Sequence, residues 1–415
     1  MSINSGDVAF ILVSSALVFM MTPALAFFYG GMVRRKNSLN TIMSVFFICG
    51  IASLMWIIGG YSLSFGADHL GIIGGLDHLF FNGVGAEPNA AYAGTIPEGL
   101  FAVFQMMFAI ITPALIVGSL EGRMKFSSLF IFVAAWSVLV YYPLAHMVWG
   151  DGGFLRNLGA LDFAGGNVVH ISSGVSGLVA CILLGKRRGF GVLSYKPHNI
   201  PFIVLGAGLL WFGWFGFNAG SALGANALAV QAFITTNTSA AVAMLSWMLI
   251  EKIKFGKPTL MGAATGAVIG LVAITPGAGF VPVWASIIIG AVVSPLCFMF
   301  ITRVKPKFGY DDALDAFGCH GIGGIWGGIA TGLFAHKSIN SAVQWNGLAY
   351  GETKLIVVQL ISIGVTIALS AGVTFLIMTV IKIFGEIRVS REEEALGLDL
   401  SEHQETAYPA FTGLD

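Results

Sequence analysis

Apolar residues in this chain come in long blocks, neither alternating as in strands nor confined to a narrow helical stripe. The first block is "DVAFILVSSALVFMMTPALAFFYGG", and charge returns only with "MVRRKN". A helix needs about 20 mainly apolar residues to cross a hydrocarbon core, because every backbone N–H and C=O must be paired within it. Eleven blocks qualify, at roughly 8–31, 42–65, 99–120, 127–149, 163–184, 200–220, 229–250, 259–275, 282–301, 317–335 and 355–384. The pattern predicts an all-α integral membrane protein with eleven transmembrane helices, and an odd number places the termini on opposite sides. The first block is too long for a signal-peptide core and ends in "YGGMVRRKN", so it is expected to remain as a span. The connection from Gly66 to Pro97, rich in Gly and Asn, is expected to be irregular. From Glu386 the chain turns polar and acidic, which divides it into a transmembrane domain, 1–385, and a cytoplasmic tail, 386–415.

Composition agrees with lipid as the main solvent. Charged residues make up 10% of the chain, against about 25% in soluble domains, and the mean hydropathy is +0.84. Basic and acidic residues balance at 21 each, leaving no net field for nucleic acid. The basic residues are nevertheless distributed unevenly. Eighteen of the 21 lie in alternate connections and at the C-terminal end, beginning with Arg34, Arg35 and Lys36; only Arg156, Lys337 and Lys354 fall on the opposite side. That asymmetry predicts an outside N-terminus and a cytoplasmic C-terminus. Cys49, Cys181, Cys297 and Cys319 are scattered singly through apolar runs and read as packing residues.

Two histidines stand out within this apolar chain. Asp162 opens the fifth block, where it suits a helix N-cap, and His170 follows eight residues on, roughly 12 Å deeper and near the midplane. The tenth block is entered through "GYDDALDAFGCHG", carrying Asp311, Asp312 and Asp315 toward His320 with no basic residue adjacent. Residues 308–317 are therefore expected to be irregular backbone buried in protein, as in broken transporter helices. Five spans ending in Asp-then-His are followed by five more with the same ending. Five is odd, so the halves would form two inverted repeats with a final long helix, and their interface would hold a midplane path where the histidines meet. A lone buried histidine is usually structural; two at matching places in an inverted repeat point to function. Capping alone would explain Asp162, and Ser172 and Ser173 are expected to bond back to helix carbonyls.

Aromatic residues gather toward the outer end of the path. Trp149 ends the fourth span, Phe104 and Phe108 share one helix face at i and i+4, and "WFGWFGFNAGS" brings Trp214, Phe217 and Ser221 as the sixth span reaches the outside. Interfacial aromatic belts account for many such residues; the alternative is a cage for a small cation, with ring quadrupoles and a serine acceptor. The sequence contains neither a GxSxG elbow nor a P-loop, no nucleophile is paired with a base at a recognisable spacing, and two histidines with a distant aspartate make a weak zinc site. Enzyme chemistry and bound cofactors are not expected.

The stretches "DFAGGNVVHI", "GWFGFNAGS", "FGCHGIGG", "AHMVWG" and "GLDLSEHQETAY" together resemble the ammonium transporter family (Amt/Mep, with the Rh proteins as distant relatives), and the resemblance runs from "TPALAFFYGGMVRRKN" to Tyr408. It implies a homotrimer of eleven-helix protomers in the plasma (inner) membrane, each with its own pore. Ammonium would be recruited by Trp149, Phe108 and Ser221, with Asp162 supporting that site. Phe108 and Phe217 would stack as a gate, and His170 and His320 would line a hydrophobic pore below it, with Asp315 as electrostatic support. A cytosolic PII-type signal protein is the implied partner of the tail. Two departures fall on the cytosolic face: Gln404 replaces the glycine of "HGE", and "SLEGRM" moves a glutamate to Glu121. The competing readings are a channel for a neutral solute such as water or urea, and a membrane sensor of ammonium.

Overall fold

The computed structural model describes residues 2–193 and 195–408. Long helices form on all eleven apolar blocks: α1 (Ser5–Met32), α2 (Arg35–Phe65), α3 (Glu98–Leu120), α4 (126–149), α5 (Gly166–Leu184), α6 (Ile200–Gly220), α7 (Ala227–Phe255), α8 (Leu260–Ile274), α9 (Val283–Phe308), α10 (317–334) and α11 (Lys354–Phe384). Among the described residues nine of these helices are each long and apolar enough to cross a membrane, α8 and α10 being the two that are not among them; α8 has only 15 residues. Such a short helix can serve because neighbouring helices, rather than lipid, surround it: its second half, from Gly266 to Ile274, is buried throughout.

The chain is a multi-pass membrane protein, and its surface says why. Leu12, Phe46, Leu54, Leu245, Leu249 and Leu376 are exposed large apolar side chains, at home against acyl chains. Polar residues go inward, where Ser, Thr and Asn bond across or along helices. Asn167 donates to Ser362, Asn218 to Thr236, and Trp136 to Ser176. Ser172 and Ser173 donate to the carbonyls of Val168 and Val169, as expected. Cys49, Cys181 and Cys297 are buried free thiols and Cys319 is half-buried, which fits packing. The connection 66–97 is mostly turns, with one small element the sequence did not suggest. Asp68–His69 (β1) pairs antiparallel with Ile73–Gly74 (β2), and Nε2 of buried His146 meets Asp68 Oδ1 at 2.9 Å.

After α11 the chain folds back onto the face that carries most basic residues. Two short helices follow, α12 (Arg391–Leu396) and α13 (Leu398–His403). Glu394 accepts from the Arg188 amide at 2.6 Å and from Arg388 at 2.8 Å. Asp399 accepts from the Asn40 amide at 2.8 Å, in the first turn of the α-helical part of α2, where a carboxylate meets free N–H groups and the positive end of the dipole. Gly397, at φ +110°, passes so close to α2 that a Cβ would lie 2.6 Å from the Lys36 carbonyl. Farther along the tail, Tyr408 accepts from Asn199 at its hydroxyl and from Arg35 at its carbonyl.

Gln404 ends α13 in the left-handed conformation, at φ +57°. A side chain there costs roughly 1–2 kcal/mol, partly balanced by the larger unfolded-state entropy of glycine. Gln404→Gly should therefore hold the tail more firmly. Under limited proteolysis its tail should be cut roughly 2- to 5-fold more slowly than the parent's, if cutting follows the open population. Equal cutting rates would show that this position does not control docking.

Candidate functional site

Each histidine lies on a π-helical turn, Gly166–Ile171 and Phe317–Gly321, at the start of its span. Such turns insert a residue into the ladder and re-aim side chains, commonly at functional sites. The two spans cross closely because glycines face each other: a Cβ on Gly174 would lie 2.3 Å from the Gly321 amide. Small residues permit that approach. The result puts His170 Nδ1 3.3 Å from His320 Nδ1, with the rings 21° from parallel. One ring donates and the other accepts. His170 Nε2 has no protein partner among the described residues.

Carboxylates fix the start of each span. Asp162 accepts from the amides of Gly165 and Gly166 with Oδ1, and of Asn167 and Val168 with Oδ2, over 2.6–3.3 Å. The matching residue in the second half is Asp312, not Asp315. Asp312 accepts from the Ala316 and Phe317 amides and from the Ser119 hydroxyl, and it stands eight residues before His320, as Asp162 does before His170. Asp315 instead takes a left-handed conformation at φ +58° and pairs with Lys305 at 2.6 Å. Sequence proximity favoured Asp315; the spacing of eight was the better signal.

The acidic entry to α10 is irregular backbone through 309–315, as expected, but it does not lack basic partners. Arg187 grips Asp311 with Nε and Nη2 at 2.9 and 2.6 Å. Fully buried Arg123 donates to the carbonyls of Ser119, Glu121, Gly185 and Asp311. Burial pushes the Asp311 carboxyl up, yet the Arg187 bonds and the charges of Arg123 and Arg187 outweigh it and leave it below the ordinary value. Glu121, beside this cluster, accepts from Thr41 at 2.6 Å, and burial pushes its carboxyl up to about 7.

Three spaces lie in series. The first is lined by Phe108, Trp149 and Ser221 together with Gln105, Tyr92 and Arg156. Trp149 is held by its indole N–H, which donates to the Asp162 carbonyl at 2.9 Å; the Asp162 carboxylate faces the α5 amides. Ser221 donates to the Phe217 carbonyl at 2.8 Å, leaving its lone pairs for a donor. Phe108 and Phe217 overlap at 4.3 Å between centroids and separate this vestibule from a narrow, nearly closed passage lined by both histidines and by Leu25, Phe28, Ile111 and Trp214. A vestibule on the other side is lined by His320, Asp315, Tyr195 and Phe28.

Trp214 does not join Trp149, as its place near the end of α6 suggested. It stacks on His170 at 5.4 Å and donates to Thr275 at 2.9 Å. The sequence reading passed over Phe28 and Gln105, and it named Asp312 without setting it apart from Asp311 and Asp315, which only the Asp–His spacing could have done. Among the described residues no group of three metal-ligating side chains occurs.

Comparison with known proteins places this architecture. Residues 9–408 match the model of the Ammonium Transporter Family. An ammonium transporter of Bacillus subtilis is 53% identical over 403 residues, covering 97% of this chain and 98% of the relative. Ammonium transporter Amt1 of Archaeoglobus fulgidus is 48% identical, covering 98% of this chain and 100% of the relative. The crystal structure of Saccharomyces cerevisiae Mep2 superposes with a TM-score of 0.87 at 36% identity, covering 94% of this chain and 88% of that one. Sequence and fold agree with these relatives over nearly the whole length, and the chain belongs to the ammonium transporter family.

Proposed function

We propose that the protein recruits ammonium at the Trp149 vestibule, where it yields a proton to vestibule water before the Phe108–Phe217 pair, and conducts ammonia past His170 and His320, with or without coupled passage of that proton. The observation that carries this reading is the imidazole pair itself, 3.3 Å apart in an otherwise apolar passage. Ammonium and potassium are alike in size and charge, so carbonyl rings would separate them poorly. Ammonium differs in donating directional hydrogen bonds and in being able to lose a proton. The Trp149 and Phe108 rings offer quadrupoles to a cation, and the Ser221 oxygen can accept one N–H. Past the stacked rings an unpaired ion would meet apolar walls at high cost, whereas ammonia can bond to an imidazole nitrogen. The vestibule with Trp149 faces outward and the tail face is cytoplasmic in this reading, consistent with eighteen of the 21 basic residues lying on the tail face. The protein works in the plasma membrane as a homotrimer, and the docked segment 386–408 forms part of a surface for a PII-type regulator.

The test is ammonium uptake into proteoliposomes, read as internal pH change and current, with potassium compared. Ammonium should drive uptake and potassium should not; a response to neither, or equal responses to both, would sink the reading. Trp149→Leu removes the indole quadrupole, about 0.5–2 kcal/mol, which should raise the half-saturating ammonium concentration roughly 3- to 30-fold. An unchanged low-concentration uptake in that variant would refute the aromatic site.

A further inference from the structure

The Trp149 vestibule contains a fixed guanidinium at the place where a cation is to be captured. Arg156 lines the same cavity as Phe108, Trp149 and Ser221 and lies on the short helical turn Phe154–Asn157 after α4. Its Nη1 donates to the Trp149 carbonyl at 3.0 Å and its Nη2 to the Ala91 carbonyl at 3.4 Å. The one acidic side chain paired with it among the described residues is Asp151, at 3.7 Å, and the two side chains are 37% and 67% exposed. A pair so open to water is weak.

Three other carboxylates of this region are engaged elsewhere. Asp162 is filled by backbone amides, Asp68 holds His146 and the Gly71 amide, and Glu98 takes the Tyr61 hydroxyl and the Asn89 amide. Arg156 therefore adds positive charge to the entrance, and it also occupies two backbone carbonyls that a free cation would otherwise use.

We propose that Arg156 is a resident cation that sets the working affinity of the Trp149 vestibule and keeps weakly bound alkali ions out of it. This rests on the reading of that vestibule as the ammonium entry site. Repulsion by a fixed charge penalises every monovalent cation about equally, so it leaves the ratio of affinities unchanged. What it changes is occupancy. A cation with N–H donors recovers binding from the Ser221 oxygen and the aromatic faces, while potassium, held only by charge and quadrupole, falls below useful occupancy.

Uptake into proteoliposomes, titrated with ammonium in the presence and absence of potassium, separates charge from structure. Arg156→Gln should lower the half-saturating ammonium concentration about 3- to 10-fold, the effect expected of one like charge across a wet cavity, and should make uptake sensitive to potassium. Arg156→Lys, which keeps the charge, should stay within about twofold of the parent, and Asp151→Asn should raise half-saturation, both differences following charge alone. The shifts should shrink as ionic strength is raised with a bulky organic salt. If Arg156→Gln and Arg156→Lys move together, or Arg156→Gln raises half-saturation, the residue is a strut for the Trp149 turn and the proposal is wrong. Asp151→Asn, altering an exposed side chain, gives an independent answer should the arginine variants misfold: unchanged half-saturation there overturns the proposal. A parent protein with no ammonium response defeats the entry-site reading instead, which keeps the two failures apart.

Discussion

His170→Ala should reduce ammonium uptake roughly 5- to 150-fold, the range expected when a buried hydrogen-bond partner worth about 1–3 kcal/mol is removed from a rate-determining path. Truncation takes away the ring that joins His320 at 3.3 Å and stacks on Trp214, and it opens space beside an otherwise apolar wall. His170→Glu should retain more flux than the alanine variant but admit potassium, because a carboxylate can ionise and pair with a cation that imidazole does not favour. The same two changes at His320 should behave alike, since both rings line one passage. Measurement is by uptake and current with ammonium and potassium in turn. A His170→Ala, His320→Ala double variant that transports at the parental rate and still excludes potassium would reduce the pair to packing residues.

Asp162→Ala should do more damage, and to the fold as well as to transport. Four amides, from Gly165 to Val168, rest on this carboxylate. Leaving buried donors unpaired costs about 1–3 kcal/mol each, enough to remodel the start of α5 and shift His170, two residues beyond the last of those amides. The variant should be recovered poorly and should unfold at least about 10 °C below the parent, taking a few kcal/mol against the usual slope of 2–4 °C per kcal/mol for a large domain. Asp162→Asn keeps one acceptor oxygen and should lie between. Asp312→Ala should behave similarly at α10 although it has only two amide partners and a serine. Normal thermal stability of Asp162→Ala would show that the cap is dispensable.

These two sites mark how far residue patterns carried. The histidines were legible because an ionisable ring in a glycine-rich apolar run has few cheap explanations, and Asp162 because it stands where a cap belongs. Phe108 and Ser221 could be read either as a cage or as part of an interfacial belt, since nothing local separates the two, and only the family motifs chose between them. The choice between Asp312 and Asp315 depended on which carboxylate the backbone turns inward, and Asp315's left-handed conformation is set by its Lys305 pairing and its neighbours. Trp214 looked interfacial by its position along α6, yet it faces the passage because α6 packs along α1 with its glycines Gly206, Gly213 and Gly216 toward that helix.

Local residue patterns were enough for the helices, the bilayer as their solvent, and the asymmetry of basic residues, because these follow from summed local preferences. Twenty apolar residues demand a helix whatever lies beside them. The sequence also held the repeat, in the equal spacing of Asp162 from His170 and Asp312 from His320. Tertiary structure alone decided which polar groups meet. Arg123 and Arg187 reach Asp311 across more than a hundred residues, Asp399 finds the first turn of α2, and Arg156 enters the vestibule beside Trp149. Local periodicity contains no term for such contacts; they exist because low dielectric makes an unpaired buried charge so costly that the fold must bring its partner from wherever the chain supplies one.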